Sequence, residues 1–317
     1  MALPGYGWET AETVSAAVAR MLALSGGATE EAIRDIAARE WAKNPFAASA
    51  VITAIEMPRY LRTGATRDFP LNAPVSGEIP VDRFREQVQR ALDSGFQFIK
   101  VKVGKELTAN IEAAHCVLTE FPDSPFGVLF DANQGFSLDA ALKFARTLAE
   151  CSSPRLLWFE QPVDRTAWND METLCRTAPV PVLLDECIYD QLDIARAAAI
   201  GAFGVKLKLF KNFGIAGTLE LARQAQDASL AVVFGNGVAT DIGNLGEYLA
   251  LAAAPKVFAP PAEANGFLKL RSPLLDVLDG GARGGLLCKT DSGGLQNCIR
   301  RFVAQAQIGE AVDFVQV

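Results

Sequence analysis

Five short apolar runs each end in a charged residue. Phe126–Asp131 (FGVLFD), Leu156–Glu160 (LLWFE) and Val180–Asp185 (VPVLLD) end in carboxylates. Phe96–Lys102 (FQFIKVK) and Phe203–Lys208 (FGVKLK) end in lysines. From Lys102 to Asp131, Glu160, Asp185 and Lys208 the steps are 29, 29, 25 and 23 residues. A strand with its covering helix takes about 30 residues in a (β/α)8 barrel of about 250, and such barrels do chemistry at the rim of strand C-termini. Five consecutive strands are therefore expected to deliver Lys, Asp, Glu, Asp and Lys to one rim.

Three carboxylates converging without a counter-ion would repel one another and resist ionisation. A divalent cation resolves this. Oxygen donors with no His or Cys beside them favour a hard ion, Mg²⁺ with Mn²⁺ as the alternative, which keeps positions open for substrate oxygens. Asp131, Glu160 and Asp185 are the expected metal ligands. Lys102 and Lys208 come from the strands on either side, so a bound substrate would meet an amine on each face. A nearby metal ion favours the neutral form of a lysine, which can then act as a base near pH 7. The same ion would stabilise the dianion formed when a proton leaves the carbon next to a carboxylate. Lys100 stands two residues before Lys102 and so points to the same side of the strand.

The chain that must position these groups has 317 residues, half of them hydrophobic, and a net charge of −7. That is enough for a large core, either one domain or a barrel with an accessory domain. The acidic balance and lack of a basic cluster argue against a nucleic-acid partner. No apolar run reaches the roughly 18 residues of a membrane span, so no membrane partner is expected. The opening MALPGYGWET has neither a basic n-region nor an apolar h-region. Six scattered cysteines without a CxxC fit a reduced, cytoplasmic protein.

Residues 11–24, 30–42 and 46–57 carry alanine-rich helical patterns, with Gly26-Gly27 as a stop. From about Pro74 strands and helices alternate, which implies a parallel sheet. Strands are expected near 75–78, 97–102, 126–131, 156–160, 180–185, 203–208, 230–234 and 256–259. Eight such strands suggest a closed barrel, and no GxGxxG follows the first of them to support dinucleotide binding. The expected fold class is α/β, a (β/α)8 TIM-like barrel with a shortened N-terminal capping domain. The expected boundaries are 1–73 for the cap, 74–280 for the barrel and 281–317 for a C-terminal tail that packs on the cap, with a helix near 295–306.

The ordered set Ile99-Lys100-Val101-Lys102-Val103-Gly104, Asp131-Ala132-Asn133-Gln134-Gly135, Phe159-Glu160-Gln161-Pro162, Leu184-Asp185-Glu186 and Lys208-Leu209-Phe210-Lys211-Asn212 resembles the enolase superfamily, muconate lactonizing subgroup. The match runs from about residue 74 to 270. The superfamily uses a Lys or His base with Mg²⁺, and the resemblance implies that chemistry here. It makes Asp131, Glu160 and Asp185 the Mg²⁺ ligands and Lys102 and Lys208 the acid/base pair. It implies that Lys100 holds the substrate carboxylate or stabilises the enolate. Asn133 becomes an outer-sphere partner and Glu186 a neighbour orienting Lys208. Asn236, in the turn Phe234-Gly235-Asn236-Gly237, lines the substrate site by this resemblance, as does Glu263, which is similar to a Glu of muconate cycloisomerases. The only histidine, His115, lies in a helical pattern and is expected to be partly buried and structural. That separates the chain from the related mandelate racemase subgroup, whose base is a His on the seventh strand.

Three departures stand out. Phe213-Gly214 replaces the usual Gly-Gly after the sixth strand. Lys206 shares the face of Lys208 where a small polar residue is more usual. Gly5-Tyr6-Gly7-Trp8-Glu9 resembles the middle of the usual capping domain, so its first strands are expected to be missing. The reaction implied is Mg²⁺-dependent removal of a proton α to a carboxylate through an enediolate. An o-succinylbenzoate synthase-like dehydration leads. Racemisation or epimerisation of an amino acid or dipeptide, and cycloisomerisation, are the alternatives. A non-enzymatic alternative is an idle barrel used for binding or assembly. The expected partners are a small-molecule carboxylate substrate and further copies of the chain in a homo-oligomer.

Overall fold

Seven parallel strands form one sheet in strict chain order, each followed by a helix that returns over its outer face. The structure is a computed structural model, and it describes residues 8–61, 68–121, 125–236, 239–269, 274–275, 278–279 and 285–288. The sheet strands are β2 Asn72–Ser76, β3 Phe98–Lys102, β4 Gly127–Asp131, β5 Leu156–Glu160, β6 Val182–Leu184, β7 Gly204–Leu207 and β8 Ala231–Phe234. The helices between and after them are α4 Val81–Asp93, α5 Leu107–Thr119, α6 Leu138–Glu150, α7 Trp168–Thr177, α8 Gln191–Ala199, α9 Gly214–Asp227 and α10 Asp241–Ala253.

The eighth strand expected near 256–259 does not form as an extended element. Pro255, Pro260 and Pro261 carry no amide hydrogen and so cannot sustain a ladder. Isolated parallel bridges at Ala259 and Ala262 stand in its place. Ala259 N donates to Val232 O at 2.7 Å, and Glu263 N donates to Phe234 O at 3.0 Å. On the other side Ala262 N donates to Pro70 O at 2.9 Å. This short segment joins the two edges of the sheet and closes a TIM-like barrel. The first strand also starts earlier than expected, at Asn72.

Side chains alternate along each strand. Val128, Phe130, Phe159, Leu184 and Val232 face the helices, where they join the main core with Phe136 and Phe144 of the α6 layer. Phe130, Phe136, Phe144 and Phe159 pack edge-on or tilted with centroids 5.3 to 6.1 Å apart. Each buried ring contributes about 1.5–3 kcal/mol. The opposite alternation sends Leu129, Trp158, Leu183 and Val233 to the barrel axis, where they form a small separate plug. The charged residues stand two positions further along the same faces.

Residues 8–61 carry three helices, α1 Ala11–Leu24, α2 Glu30–Trp41 and α3 Pro45–Tyr60. Thr10 and Thr13 form a capping box at the start of α1, Thr29 caps α2, and Pro45 opens α3 where no amide is needed. Ala17, Met21, Ala37, Ala47, Ala48, Val51 and Ile52 give this layer its own core. It sits on the loops that follow the barrel strands. Phe46 meets Phe210 edge-on at 4.9 Å, Trp41 meets Phe213 at 5.3 Å, and Trp8 stacks on Tyr189 at 5.8 Å.

Gly214 allows this approach. A Cβ there would come within 2.5 Å of Ile52 and 2.8 Å of the Glu56 carboxylate. The preceding Phe213 adopts a left-handed backbone at φ 58°, so the loop takes a defined turn without the second glycine. A second, antiparallel sheet pairs β1 Phe69–Pro70 with β10 Gly285–Cys288, which pairs in turn with β9 Leu278–Asp279. The expected helix near 295–306, with most of the C-terminal tail, lies outside the described residues, as do Gly5-Tyr6-Gly7 and Gly237. His115 corrects its expectation. It is exposed, because α5 turns Ala113, Ala114, Cys116, Val117 and Leu118 inward instead. No helix among the described residues is long and apolar enough to cross a membrane.

Candidate active site

Ladder register brings the charged residues together. Lys102 on β3 pairs with Asp131 on β4, and Asp131 pairs with Glu160 on β5, so three charged side chains form one row across the sheet. Asp185 and Lys208 extend the row just past the ends of β6 and β7. Asp131, Glu160, Asp185 and Lys208 are all at most 1 % exposed. Lys102 is the accessible member, with 37 % of its side chain exposed.

The carboxylates are met by ammonium groups. Asp131 Oδ2 is 2.6 Å from both Lys100 Nζ and Lys102 Nζ. Its Oδ1 accepts the Asn133 amide at 2.9 Å. Glu160 Oε1 accepts from Lys100 at 2.9 Å and Oε2 from Lys206 at 2.6 Å. Asp185 Oδ2 lies 2.6 Å from Lys208 Nζ, and Oδ1 lies 3.1 Å from Lys211 Nζ. Lys211 also donates to the Asp185 carbonyl. Glu263, on the closing segment, pairs with Lys100 and, at 3.0 Å, with Lys206.

Burial and charge pull these groups apart in acidity. Burial raises the Asp131 and Asp185 carboxyls, but Lys100 and Lys102 hold the first, and Lys208 and Lys211 the second, below the usual carboxylate range. Glu263 is brought to about 2, since Lys100 and Lys206 outweigh its burial. Burial and the neighbouring Asp131 push Glu160 up to about 7, against Lys100 and Lys206. Burial and the adjacent Asp185 push Glu186 to about 7. Buried titratable groups with specific charge partners, gathered at the strand ends, make this a candidate functional site.

The surrounding polar groups hold this arrangement. Asn133 Oδ1 accepts from Lys102 at 2.7 Å while its Nδ2 donates to Glu186 at 2.9 Å, which links the first lysine to the residue after Asp185. Buried Gln161 accepts the Asp185 amide at 2.8 Å. Asn133, Gln134 and Gln161 all have positive φ, at 41°, 71° and 33°. Such strained backbone gathers where side-chain aim matters. Asn236 is buried next to Glu247 at the far side of the mouth.

All ten residues expected from the sequence lie at this end of the barrel: Lys100, Lys102, Asp131, Asn133, Glu160, Glu186 and Glu263 are joined by side-chain bonds, Asp185 pairs with Lys208 beside them, and Asn236 stands next to Glu247. Lys206 falls deep in the site, below Lys208. Two members had no assigned role. Lys211 follows Lys208 by one tight turn, a spacing that could have signalled it. Glu247 lies mid-helix in α10, fully buried, and nothing in its local sequence marks it.

The donor chemistry fits a hard divalent cation, since the three carboxylates are oxygen donors from consecutive strands without His or Cys. Among the described residues no three His, Cys, Asp or Glu side chains are already grouped as a metal cage. The ammonium groups occupy the carboxylate oxygens instead.

The family model described as enolase C-terminal domain-like matches residues 83–273. A Populus trichocarpa L-Ala-D/L-amino acid epimerase is 29 % identical over 262 residues, covering 77 % of this chain and 58 % of that protein. A Thermotoga maritima L-Ala-D/L-Glu epimerase is 27 % identical over 177 residues, covering 56 % and 50 %. The chain thus spans about half the length of the curated relatives it matches. Among solved structures, an N-succinyl Arg/Lys racemase from Bacillus cereus superposes with a TM-score of 0.80 at 18 % identity, covering 95 % of this chain and 85 % of that one. The muconate lactonizing enzyme from Pseudomonas putida superposes at 0.77 and 20 % identity, covering 95 % and 88 %. At such identities the superpositions show the shared fold.

Proposed function

The chain belongs to the enolase C-terminal domain-like family, and from that premise we propose that it catalyses 1,1-proton transfer at the carbon α to a carboxylate. The substrate class is an amino-acid derivative or dipeptide, and the outcome is epimerisation or racemisation. One observation carries this reading: Lys102 and Lys208 flank the carboxylate row from β3 and β7, each 2.6 Å from an acidic partner at its own end.

In this reading Lys102 removes the proton from one face and Lys208 delivers one to the other, and the roles reverse for the opposite epimer. Lys100 contributes positive charge beside the substrate carboxylate, where negative charge grows as the proton leaves. Asn133 keeps Lys102 aimed, and Glu186 anchors Asn133. Asp131, Glu160 and Asp185 would hold Mg²⁺ or Mn²⁺. A divalent cation bound there would supply charge that stabilises the dianionic form of the substrate. The helices of residues 8–61, seated on the strand-end loops, act as the cap and limit water at the site. We assign the cap to the residues before Asn72, where the first barrel strand starts two residues ahead of the expected boundary at 74, the barrel to residues 72–280 and the tail to 281–317.

The named relatives are epimerases, which favours this reading over the dehydration that led from the sequence. Dehydration remains a second reading on one observation. Only Lys102 is accessible, whereas Lys208 is 1 % exposed, and a syn elimination needs proton transfer from one lysine only. Incubating the protein with Mg²⁺ and a library of dipeptides, N-acyl amino acids and β-hydroxy carboxylates in D₂O separates the two. Epimerisation places deuterium in both epimers, whereas dehydration releases water and leaves the substrate stereochemistry intact. No exchange and no turnover across the library would overturn both.

A further inference from the structure

Lys100, Glu160, Lys206 and Glu263 form a closed ring of ion pairs. Glu160 gives one oxygen to Lys100 at 2.9 Å and the other to Lys206 at 2.6 Å. Glu263 likewise gives one oxygen to Lys100 and the other to Lys206, the latter at 3.0 Å. Two lysines alternate with two carboxyl groups, and Lys100 also reaches Asp131 at 2.6 Å. Lys206 is fully buried and Glu263 is 6 % exposed. The fold makes room for it: a Cβ on Gly235 would meet the Lys206 stem at 2.5 Å.

This ring has a direct bearing on Glu160. A carboxylate that coordinates a metal offers an oxygen lone pair and negative charge. Here both oxygens are already engaged by ammonium groups, and Lys206 adds a positive charge that is fully buried beside them. We infer that Lys206 is a resident cation of the site that weakens its affinity for a divalent metal and so sets the metal concentration at which the site fills. Lys206 acts on the metal through Glu160, as a positioning residue. The inference rests on the reading of Asp131, Glu160 and Asp185 as the metal-holding set. A buried unit charge within a few ångströms of an ion changes its binding by about tenfold or more, even at the higher effective dielectric of proteins.

The test is direct metal binding by the full chain, with free Mn²⁺ followed by electron paramagnetic resonance and Mg²⁺ measured by competition. Lys206→Met keeps the apolar stem against Gly235 and removes the charge. It should tighten Mn²⁺ binding by about tenfold or more. Glu263→Gln removes an anion from the ring and leaves Lys206 committed to Glu160, so it should weaken binding. Opposite shifts in the two variants support the inference, because a general loss of structure would weaken both. Should Lys206→Met fail to fold, Lys206→Gln keeps a hydrogen-bond donor for Glu160 without the charge: tighter Mn²⁺ binding by that variant supports the inference and unchanged or weaker binding overturns it. Equal Mn²⁺ affinity in wild type and Lys206→Met overturns the inference and leaves the proposed metal site standing. No Mn²⁺ binding at millimolar concentration by wild type or by Lys206→Met overturns both.

Discussion

Glu56 Oε2 accepts the backbone amide of Ile215 at 2.6 Å, across 159 residues of chain. It also accepts from Ala216 at 3.1 Å, so one carboxylate from α3 caps the start of α9. The N-terminus of a helix attracts negative charge and leaves amides that need acceptors. Arg34 of α2 completes the latch at 2.6 Å from Glu56 Oε1. Glu56 is 1 % exposed, and the Ile215 amide it accepts is buried with it, whereas Arg34 keeps 30 % of its side chain exposed and a second partner in Glu30.

Glu56→Ala should therefore destabilise the protein by about 1–3 kcal/mol, since it leaves the buried Ile215 amide without its acceptor and weakens the cap on α9. Urea unfolding measures the loss. Amide exchange should rise first in α3 and the first turn of α9. An unchanged denaturation midpoint would mean that the helical layer is held by its apolar contacts alone.

Single lysine replacements should separate the two faces of the reaction. Lys102→Ala and Lys208→Ala should each abolish epimerisation. Each should still allow α-deuterium exchange from the one epimer whose proton faces the remaining lysine. Proton NMR in D₂O with each pure epimer reads this out. Full turnover by either variant would remove that lysine from the mechanism.

Glu247 predicts a pH dependence of stability. Burial pushes its carboxyl up to about 8, although Asn244 donates to it at 2.6 Å. A carboxyl whose pKa is raised by folding binds its proton more tightly in the native state. Its contribution is therefore complete below pH 4.5, its ordinary value, and is lost as pH rises through about 8. The slope reaches about 1.4 kcal/mol per pH unit within that window. Glu247→Gln keeps an acceptor for Asn244 and should flatten this slope, with the variant gaining on wild type towards pH 8. Parallel melting curves for the two proteins from pH 5 to 9 would contradict the assignment.

Gly235→Ala tests the packing of the lysine stems. The added Cβ would stand 2.5 Å from Lys206 Cδ and 3.0 Å from Lys208 Cε. Relief requires moving both side chains, at about 1–3 kcal/mol of overpacking. Turnover should fall strongly while circular dichroism stays native. Retained turnover would mean that Lys208 tolerates displacement.

Much of this arrangement is readable from local pattern. The bounds of α1 coincide with the expected ones, and five apolar runs ending in charge mark β3 to β7 within a few residues. The spacing of Lys100 and Lys102 places both on the inner face, because side chains in a strand alternate with period two. Lys206 is read the same way, from its spacing to Lys208. These features depend on neighbours in the chain, and the sequence by itself determined them.

The rest depends on which strands face each other across the barrel. The closing segment, expected as a strand near 256–259, has three prolines among residues 255–261 and forms no ladder, yet its amides at Ala259, Ala262 and Glu263 join both sheet edges. Only that closure brings Glu263 to Lys100, 163 residues away, and completes the ring with Lys206 and Glu160. Glu247 sits on a helix that looks ordinary until the α10 layer folds over the mouth. Docking of α3 on α9 through Glu56 is likewise invisible locally. Register along one strand follows from steric alternation between adjacent residues. Contacts across the barrel follow from stagger and closure, which are properties of the whole sheet, and only the tertiary structure decided them.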